Sequence, residues 1–426
     1  MQSDAARAGR SARRWTRVAA ALLAAAGALS GSGAAAQNFR GLSGGGPSPG
    51  NPVFSSSEQP AGSGEGAPSF FLNRPLGTDQ TFQIGGALEL SNQLDHVRPR
   101  NGRSTTNFFL EWEASVYLNI TRWVTINSVF KLEQVRDPSG DGFIRDHAGW
   151  IDQLYASIHL GPVTLYGGKI HPRFGLAWDL APGVYGADFA EDYEITERLG
   201  GGAVWRLPID IGKHDLSAEW FRADTSFLTR SIFMRTLPGE SDATRFSRLN
   251  RSDGGLSNTG SPSYSFSLVG RDIPVPGNLG YLAYGLSYAR QGAVVSESRA
   301  QRGIAAAVAW EIPLSRRLTL TPIFEFVGFD GADGGDLRRN YYVLGAELSY
   351  YAWRVSGAMT SRNTNGTNAD GGVRTRDTLY TLSLGYDLSQ LTRINGLEAA
   401  VGWRRANEGG EVSNSYGAQV VYAIRF

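Results

Sequence analysis

Ser415-Tyr416-Gly417-Ala418-Gln419-Val420-Val421-Tyr422-Ala423-Ile424-Arg425-Phe426 closes the chain and decides how the rest is read. Tyr416, Ala418, Val420, Tyr422, Ile424 and Phe426 fall on one parity, and Ser415, Gly417, Gln419, Val421, Ala423 and Arg425 on the other. Successive side chains of a strand point to opposite faces, so one face is apolar with an aromatic near each end. The stretch is long enough for a tilted strand to cross a bilayer. Its apolar face suits lipid, and its aromatics suit the two headgroup levels. Taken alone, a strand in a soluble sandwich would show the same pattern, so the rest of the chain has to separate the two.

From residue 80 onward the same alternation recurs in about sixteen segments. Phe108, Leu110, Trp112, Ala114, Val116 and Leu118 form one apolar face; Ile304, Ala306, Val308, Trp310 and Ile312 form another. Trp150, Leu154, Ala156, Ile158 and Leu160 continue the series, as do Tyr380, Leu382, Leu384 and Tyr386. In the 163–171 segment Lys169 shares parity with Val163 and Leu165, which suggests a bulge. The connections alternate in length. Short ones (121–122, 161–162, 208–213, 271–279, 313–317, 351–352, 389–395) are interleaved with long ones (133–148, 172–198, 225–262, 291–301, 328–338, 361–375, 405–414). Short turns on one side and long loops on the other are the habit of an outer-membrane barrel, and sandwiches or propellers have no reason to segregate them. The expectation is an all-β fold: a transmembrane antiparallel β-barrel of about sixteen strands over 80–426, both termini on the short-turn, periplasmic side. Closure would leave no exposed sheet edge.

The N-terminal composition fits that address. Arg7, Arg10, Arg13, Arg14 and Arg17 precede an apolar run from Val18 to Leu29, then Ala34-Ala35-Ala36, so 1–36 reads as a signal peptide. Residues 37–79 are rich in Gly, Ser and Pro and poor in large apolar residues, and read as a flexible periplasmic leader. The chain has 41 basic and 40 acidic residues, and removing the signal tips it slightly acidic, which is not the balance of a nucleic-acid binder. There is no Cys, hence no disulfide framework and no thiolate metal site. Mean hydropathy is −0.24, as a barrel allows, because only alternate residues touch lipid.

A terminal strand ending in Phe resembles the C-terminal signature by which bacterial outer-membrane barrels are recognised for assembly, carried here by Tyr422, Ile424 and Phe426. Asp152-Gln153-Leu154-Tyr155, followed by Tyr166-Gly167-Gly168-Lys169-Ile170-His171-Pro172-Arg173-Phe174-Gly175-Leu176, resembles phosphate-selective porins. In that family a strand with Asp and an aromatic leads to a Gly-Lys or Gly-Gln strand and then to Pro-x-Phe or Pro-Phe; the second Pro of the family's Pro-Pro-Phe run is Arg173 here. The resemblance implies a porin in the bacterial outer membrane. Its partners would be outer-membrane lipid and lipopolysaccharide and the barrel assembly machinery, with a homotrimer open to it.

Strand number bears on function directly, since about sixteen strands enclose an aqueous channel unless something plugs it. The parity opposite the lipid face carries Glu89, Glu111, Glu113, Glu133, Glu219, Glu311, Glu325, Glu347, Asp387 and Glu398, against Lys131, Arg354, Arg404 and Arg425. An acidic lining concentrates cations and repels anions within about a Debye length. The expectation is therefore a passive, weakly cation-preferring diffusion pore, the alternative being the anion or phosphate selectivity of the resembled family. The loop 172–198 carries Asp179, Asp188, Glu191, Asp192, Glu194 and Glu197 with Trp178, Tyr185, Phe189 and Tyr193. It is the expected constriction, through Asp188, Glu191, Asp192 and Glu194; an external lid or a Ca²⁺-binding loop is the other reading. The loop 225–262 is basic (Arg230, Arg235, Arg245, Arg248, Arg251) and reads as a solvated, mobile loop, the other readings being contact with lipopolysaccharide or with the acidic loop across the pore mouth. No enzyme and no cofactor are expected. The five His are scattered without His-Glu-x-x-His spacing, and neither a Walker A pattern nor, within the barrel, a Gly-x-Ser-x-Gly elbow is present. A barrel hydrolase is the least favoured alternative.

Overall fold

The computed structural model describes residues 82–135, 140–235, 256–257, 262–293, 299–368 and 371–426. The expected signal and leader lie outside the described residues, as do Arg245, Arg248 and Arg251 of the basic loop.

Among the described residues eighteen strands form one sheet, of which Gly142–Phe143 and Phe233–Arg235 are short additions and the other sixteen make a closed antiparallel barrel. The first eight wall strands are β1 (Gln83–Pro99), β2 (Thr105–Asn119), β3 (Val124–Gln134), β4 (His147–Leu160), β5 (Val163–Ile170), β6 (Arg198–Arg206), β7 (Lys213–Ala223) and β8 (Ser263–Pro274). The second eight are β9 (Tyr281–Gln291), β10 (Gln301–Ser315), β11 (Leu318–Asp330), β12 (Asp336–Tyr350), β13 (Trp353–Asn368), β14 (Gly371–Asp387), β15 (Leu397–Glu408) and β16 (Glu411–Arg425). Each strand pairs with the next, and β16 returns to β1 from Ala87 opposite Arg425 to Pro99 opposite Ser413, which closes the wall. Closure lets neighbouring strands satisfy one another's backbone donors and acceptors within the wall.

The two faces sort as the alternation requires. Ile304, Val308, Phe324, Leu344, Val355, Leu382 and Val401 are exposed outward, while their neighbours Ala305, Ala307, Glu325, Val343, Ser356 and Ser383 are buried inward. Exposed aromatics mark both rims: Trp123, Tyr350 and Trp353 at the short-turn end, and Trp220, Tyr380 and Tyr416 toward the other. An exterior of this kind is stable only against lipid, and none of the described helices is long and apolar enough to cross a membrane.

Two local expectations are corrected. Three of the expected outer loops of the second half are shorter: 331–335, 369–370 and 409–410 separate the strands there, while 292–300 lies between β9 and β10. Residues 361–368 continue β13, because Ser361, Asn363 and Thr364 pair across the ladder without any apolar alternation to reveal them. Trp150 is completely buried on the inner side and does not face lipid. The register between β3 and β4 shifts at Val129/Phe130, where Asp152 is the extra residue, and the shift inverts parity above it. The neighbouring strand that holds Lys169 pairs with β4 without such a shift.

β5 is the shortest wall strand, at 8 residues, and ends opposite Leu154, leaving the upper part of β4 without a partner on that side. Phe233–Arg235 from the loop after β7 pairs there with His147–Gly149 and covers the edge. Beneath it, Lys169 is buried away from the lumen, its Nζ 2.5 Å from Glu197, 3.4 Å from Asp224 and 2.6 Å from the Ile151 carbonyl.

Candidate functional site

The loop between β5 and β6, residues 171–197, lies inside the barrel. Its polar anchors begin with Glu325 on β11, whose carboxylate accepts the Leu176 N–H at 2.5 Å, the Ala177 N–H at 3.1 Å and the Tyr193 hydroxyl. The Val184 N–H donates to Ser383 Oγ on β14 at 3.0 Å, and the Tyr185 hydroxyl donates to Asp95 on β1 at 2.9 Å. The returning limb is held by Arg404 on β15, which donates to Asp188. It is also held by Arg362 on β13, 2.6 Å from Asp192. The two guanidinium groups lie over the rings of Tyr185 and Phe189.

Glycines in the wall make room for the loop. A Cβ at Gly285 would stand 2.6 Å from Leu176, at Gly303 2.7 Å from Phe174, at Gly345 2.9 Å from Pro182 and at Gly402 2.9 Å from Val184. At Gly417 it would collide with the Tyr185 hydroxyl. These five lie on β9, β10, β12, β15 and β16, all on the inner parity, so the outgoing limb follows the inner wall of the second half until Tyr185 reaches β1. Glycine inside a strand weakens it, and close approach of another segment is one reason to keep it. Phe174, Ala177, Ala181, Ala190, Tyr193 and Ile195 join Ile323, Val327, Tyr341 and Val343 of the wall in one buried cluster.

The first half holds the loop differently. His171 Nε2 is 3.3 Å from Asp152, the residue turned inward by the β4 bulge, and Nδ1 is 3.6 Å from Glu194. Burial by itself would lower the His171 pKa, but the two carboxylates outweigh it and push it up to about 10.

The four expected constriction residues are thus brought into the barrel with the loop, and three of them face cations: Asp188 Arg404, Asp192 Arg362 and Glu194 His171. The Glu191 side chain is half-buried on the same limb. Of the lumen residues, Lys131 is 3.3 Å from Glu133, Arg354 is bound to Glu398, and Glu347 accepts from Ser349 at 3.1 Å. Glu111 and Glu113 are half-buried on β2, Glu113 lying opposite Lys131. Tyr422 and Ile424 lie opposite Leu90 and Leu88 in the closing seam. The Phe426 backbone exchanges two hydrogen bonds with Gly86, at 2.9 and 3.0 Å. Sequence reasoning missed Arg362, Asp95 and the His171–Asp152 contact. Only the missed strand extension hid Arg362, which lies three residues past Met359 where no further apolar residue marks the alternation. No group of three or more His, Asp or Glu among the described residues is disposed to hold a metal ion.

No protein-family model matches the chain, and no curated protein sequence matches it. Among solved structures, the vanillate complex of OpdK from Pseudomonas aeruginosa is similar at a TM-score of 0.48 and 11% identity, covering 81% of this chain and 99% of that one. OccK9 (OpdG) of the same organism gives 0.47 and 11%, covering 82% and 100%. A loop L8 deletion mutant of OmpT, an outer membrane protein of Vibrio cholerae, gives 0.47 and 8%, covering 80% and 99%.

Proposed function

We propose that the chain is a porin of the bacterial outer membrane, a water-filled channel for passive diffusion of small hydrophilic solutes or ions. The observation that carries this reading is the exposed side-chain surface left beside the inserted loop. Lys131 on β3 keeps 33% of its side chain exposed and Asp192 on the loop keeps 28%, inside a wall whose polar face is otherwise largely covered. A loop that lines one side of a wide barrel without filling it narrows a channel rather than plugging it. Asp188, Glu191, Asp192 and Glu194 then form the constriction, and Tyr422, Ile424 and Phe426 the assembly signal. Weak cation preference is the favoured selectivity. Ion pairing removes a carboxylate for each base it removes, so the excess of acids on the inner face survives the pairs now seen. Phosphate selectivity would need a ladder of bases, and Arg354, Arg362 and Arg404 are each bound to carboxylates.

Planar-bilayer recordings test this. Discrete conductance steps and a cation-signed zero-current potential that fades as salt rises are expected, because wall charges in water are screened. Absence of conductance from folded barrels would overturn the channel, and an anion-signed potential at low salt would overturn the selectivity alone.

A further inference from the structure

We propose that the outer wall where β1, β16 and β15 meet carries a binding site for the phosphate of an anionic lipid in the outer leaflet. The proposal rests on the outer-membrane reading for which rim faces outward. Asn414 on β16 stands between Arg98 on β1 and Arg405 on β15, each directly opposite it in the ladder. Arg100 follows, its backbone N–H 2.7 Å from the Val412 carbonyl. With Tyr416 one step nearer the membrane, these residues border a recess of about 300 Å³. All three arginines are exposed, and none has an ion-pair partner among the described residues. That sets them apart from Arg354, Arg362 and Arg404, which are satisfied by carboxylates on the inner face.

Their position makes the lack of partners informative. Asn414 and Tyr416 share the lipid-facing parity of β16, and Tyr416 is exposed between His96 and Trp403 at the aromatic level of the rim. Directly above such a girdle lies the headgroup layer, where a fixed cation finds lipid phosphates. A guanidinium presents two parallel N–H groups to two phosphate oxygens, and an array of three around one recess can hold a phosphate from several sides. The Asn414 amide adds a neutral hydrogen-bonding group. Below it the apolar outer face, with Tyr416 and Val401 exposed, gives the acyl chains a surface. A second copy of this chain meeting the first through the same surface would set six arginines against one another, which charge complementarity disfavours.

The test uses the full-length barrel purified in detergent, with native mass spectrometry to count bound lipopolysaccharide and microscale titration to measure affinity. The variants are Arg98→Gln/Arg100→Gln/Arg405→Gln together, and Arg316→Gln/Arg317→Gln at the opposite rim as control. Heat-modifiable migration verifies that each is folded. The wild type and the control should bind phosphorylated lipid A, and the triple variant should bind it at least about tenfold more weakly, the loss expected from removing charge-assisted hydrogen bonds. Lipid A stripped of phosphate should bind the wild type as weakly as phosphorylated lipid A binds the triple variant. Equal affinity of wild type and triple variant, or indifference to the phosphate, would overturn the site. Competition by inorganic phosphate at the same concentration as lipid A would show a free-anion site instead and overturn the lipid assignment. Conductance of the triple variant is recorded in parallel. A conducting barrel without phosphate-dependent binding refutes this inference only, whereas a folded barrel that never conducts refutes the channel reading.

Discussion

The β5–β7 sector and the β10–β14 sector of the same wall are built on opposite plans. β5, β6 and β7 have 8, 9 and 11 residues, and the two longest outer connections join β5 to β6 and β7 to β8, whereas β10, β12, β13 and β14 have 15, 15, 16 and 17 residues. The first sector donates chain to the lumen, and the second provides the surface that receives it. Their inner faces differ accordingly. Near the first sector Tyr155, Tyr166, Val129 and Ile170 fill space with their own side chains. Along the second, Gly303 and Gly345 leave space for Phe174 and Pro182, and Gly402 on the adjoining β15 leaves space for Val184. The loop is therefore fixed in place, and the division of labour around the wall should show in how each half responds to change.

The largest response should come from removing the donated chain. Replacing 177–190 by a short Gly-Ser bridge takes away the limb that follows the second half, and single-channel conductance should rise several-fold. Unchanged conductance would mean that the loop is not what limits flow. A smaller version of the same effect is expected from the receiving side. Gly402→Leu with Gly345→Leu fills two of the recesses and should push the loop off the wall, raising conductance part of the way toward the deletion. Gly167→Ala in the first half, whose added Cβ would meet only a carbonyl at 3.6 Å, is the control and should change nothing. If the double variant conducts like the wild type, the glycines are not what seats the loop.

Much of this plan could be read from the residues, and what could not has physical reasons. Period-2 alternation shows wherever one face meets lipid, so the strands and the parity of Glu325, Glu347, Arg354 and Arg404 were legible. Above the bilayer both faces are polar, and the pattern that reveals a strand disappears; hence Ser361–Thr364 read as loop and Arg362 was lost. A single extra residue at Asp152 inverted Trp150, because a bulge has no compositional mark. The acids of 172–198 were conspicuous, but their partners lie 170 and 216 residues away, and nothing in one sequence ties Asp192 to Arg362 or Asp188 to Arg404. The loop thus carries less uncompensated charge than its sequence suggested.

The long-range pairs lead to the next measurement. Arg404 is fully buried against a buried Asp188, and removing one partner of a buried pair leaves an uncompensated charge, at a cost of about 3–5 kcal/mol. Arg404→Ala should therefore lower hydrogen-exchange protection of the loop amides around 184–192 by about a hundredfold or more. Arg103→Ala, which breaks an exposed pair with Asp141 at 3.8 Å, should change protection of its own loop by less than about fivefold, since such pairs contribute roughly 0–1 kcal/mol. Equal effects would mean that the inner wall is no drier than the rim.

The smallest expected effect is the one that separates the two halves by pH. The second half holds the loop through glycine recesses, Glu325 and two arginines. The first half holds it through Asp95, through Glu219, which accepts the Arg173 N–H at 3.0 Å, and through His171, whose pKa burial would lower but Asp152 and Glu194 raise to about 10. A folded-state pKa raised above the ordinary value of about 6.5 means that the protonated ring favours the folded contact. Its contribution is complete below about pH 6.5, shrinks as pH rises above that, and is gone once pH passes about 10. Hydrogen exchange corrected for its intrinsic pH dependence should then show residues 171–176 losing protection between about pH 7 and 10 while 182–188 keep theirs. His171→Gln should abolish that difference and leave the segment loosely held at every pH. A wild-type loop that loosens along its whole length over the same range would show that one titration controls both attachments and that the two halves do not hold it independently.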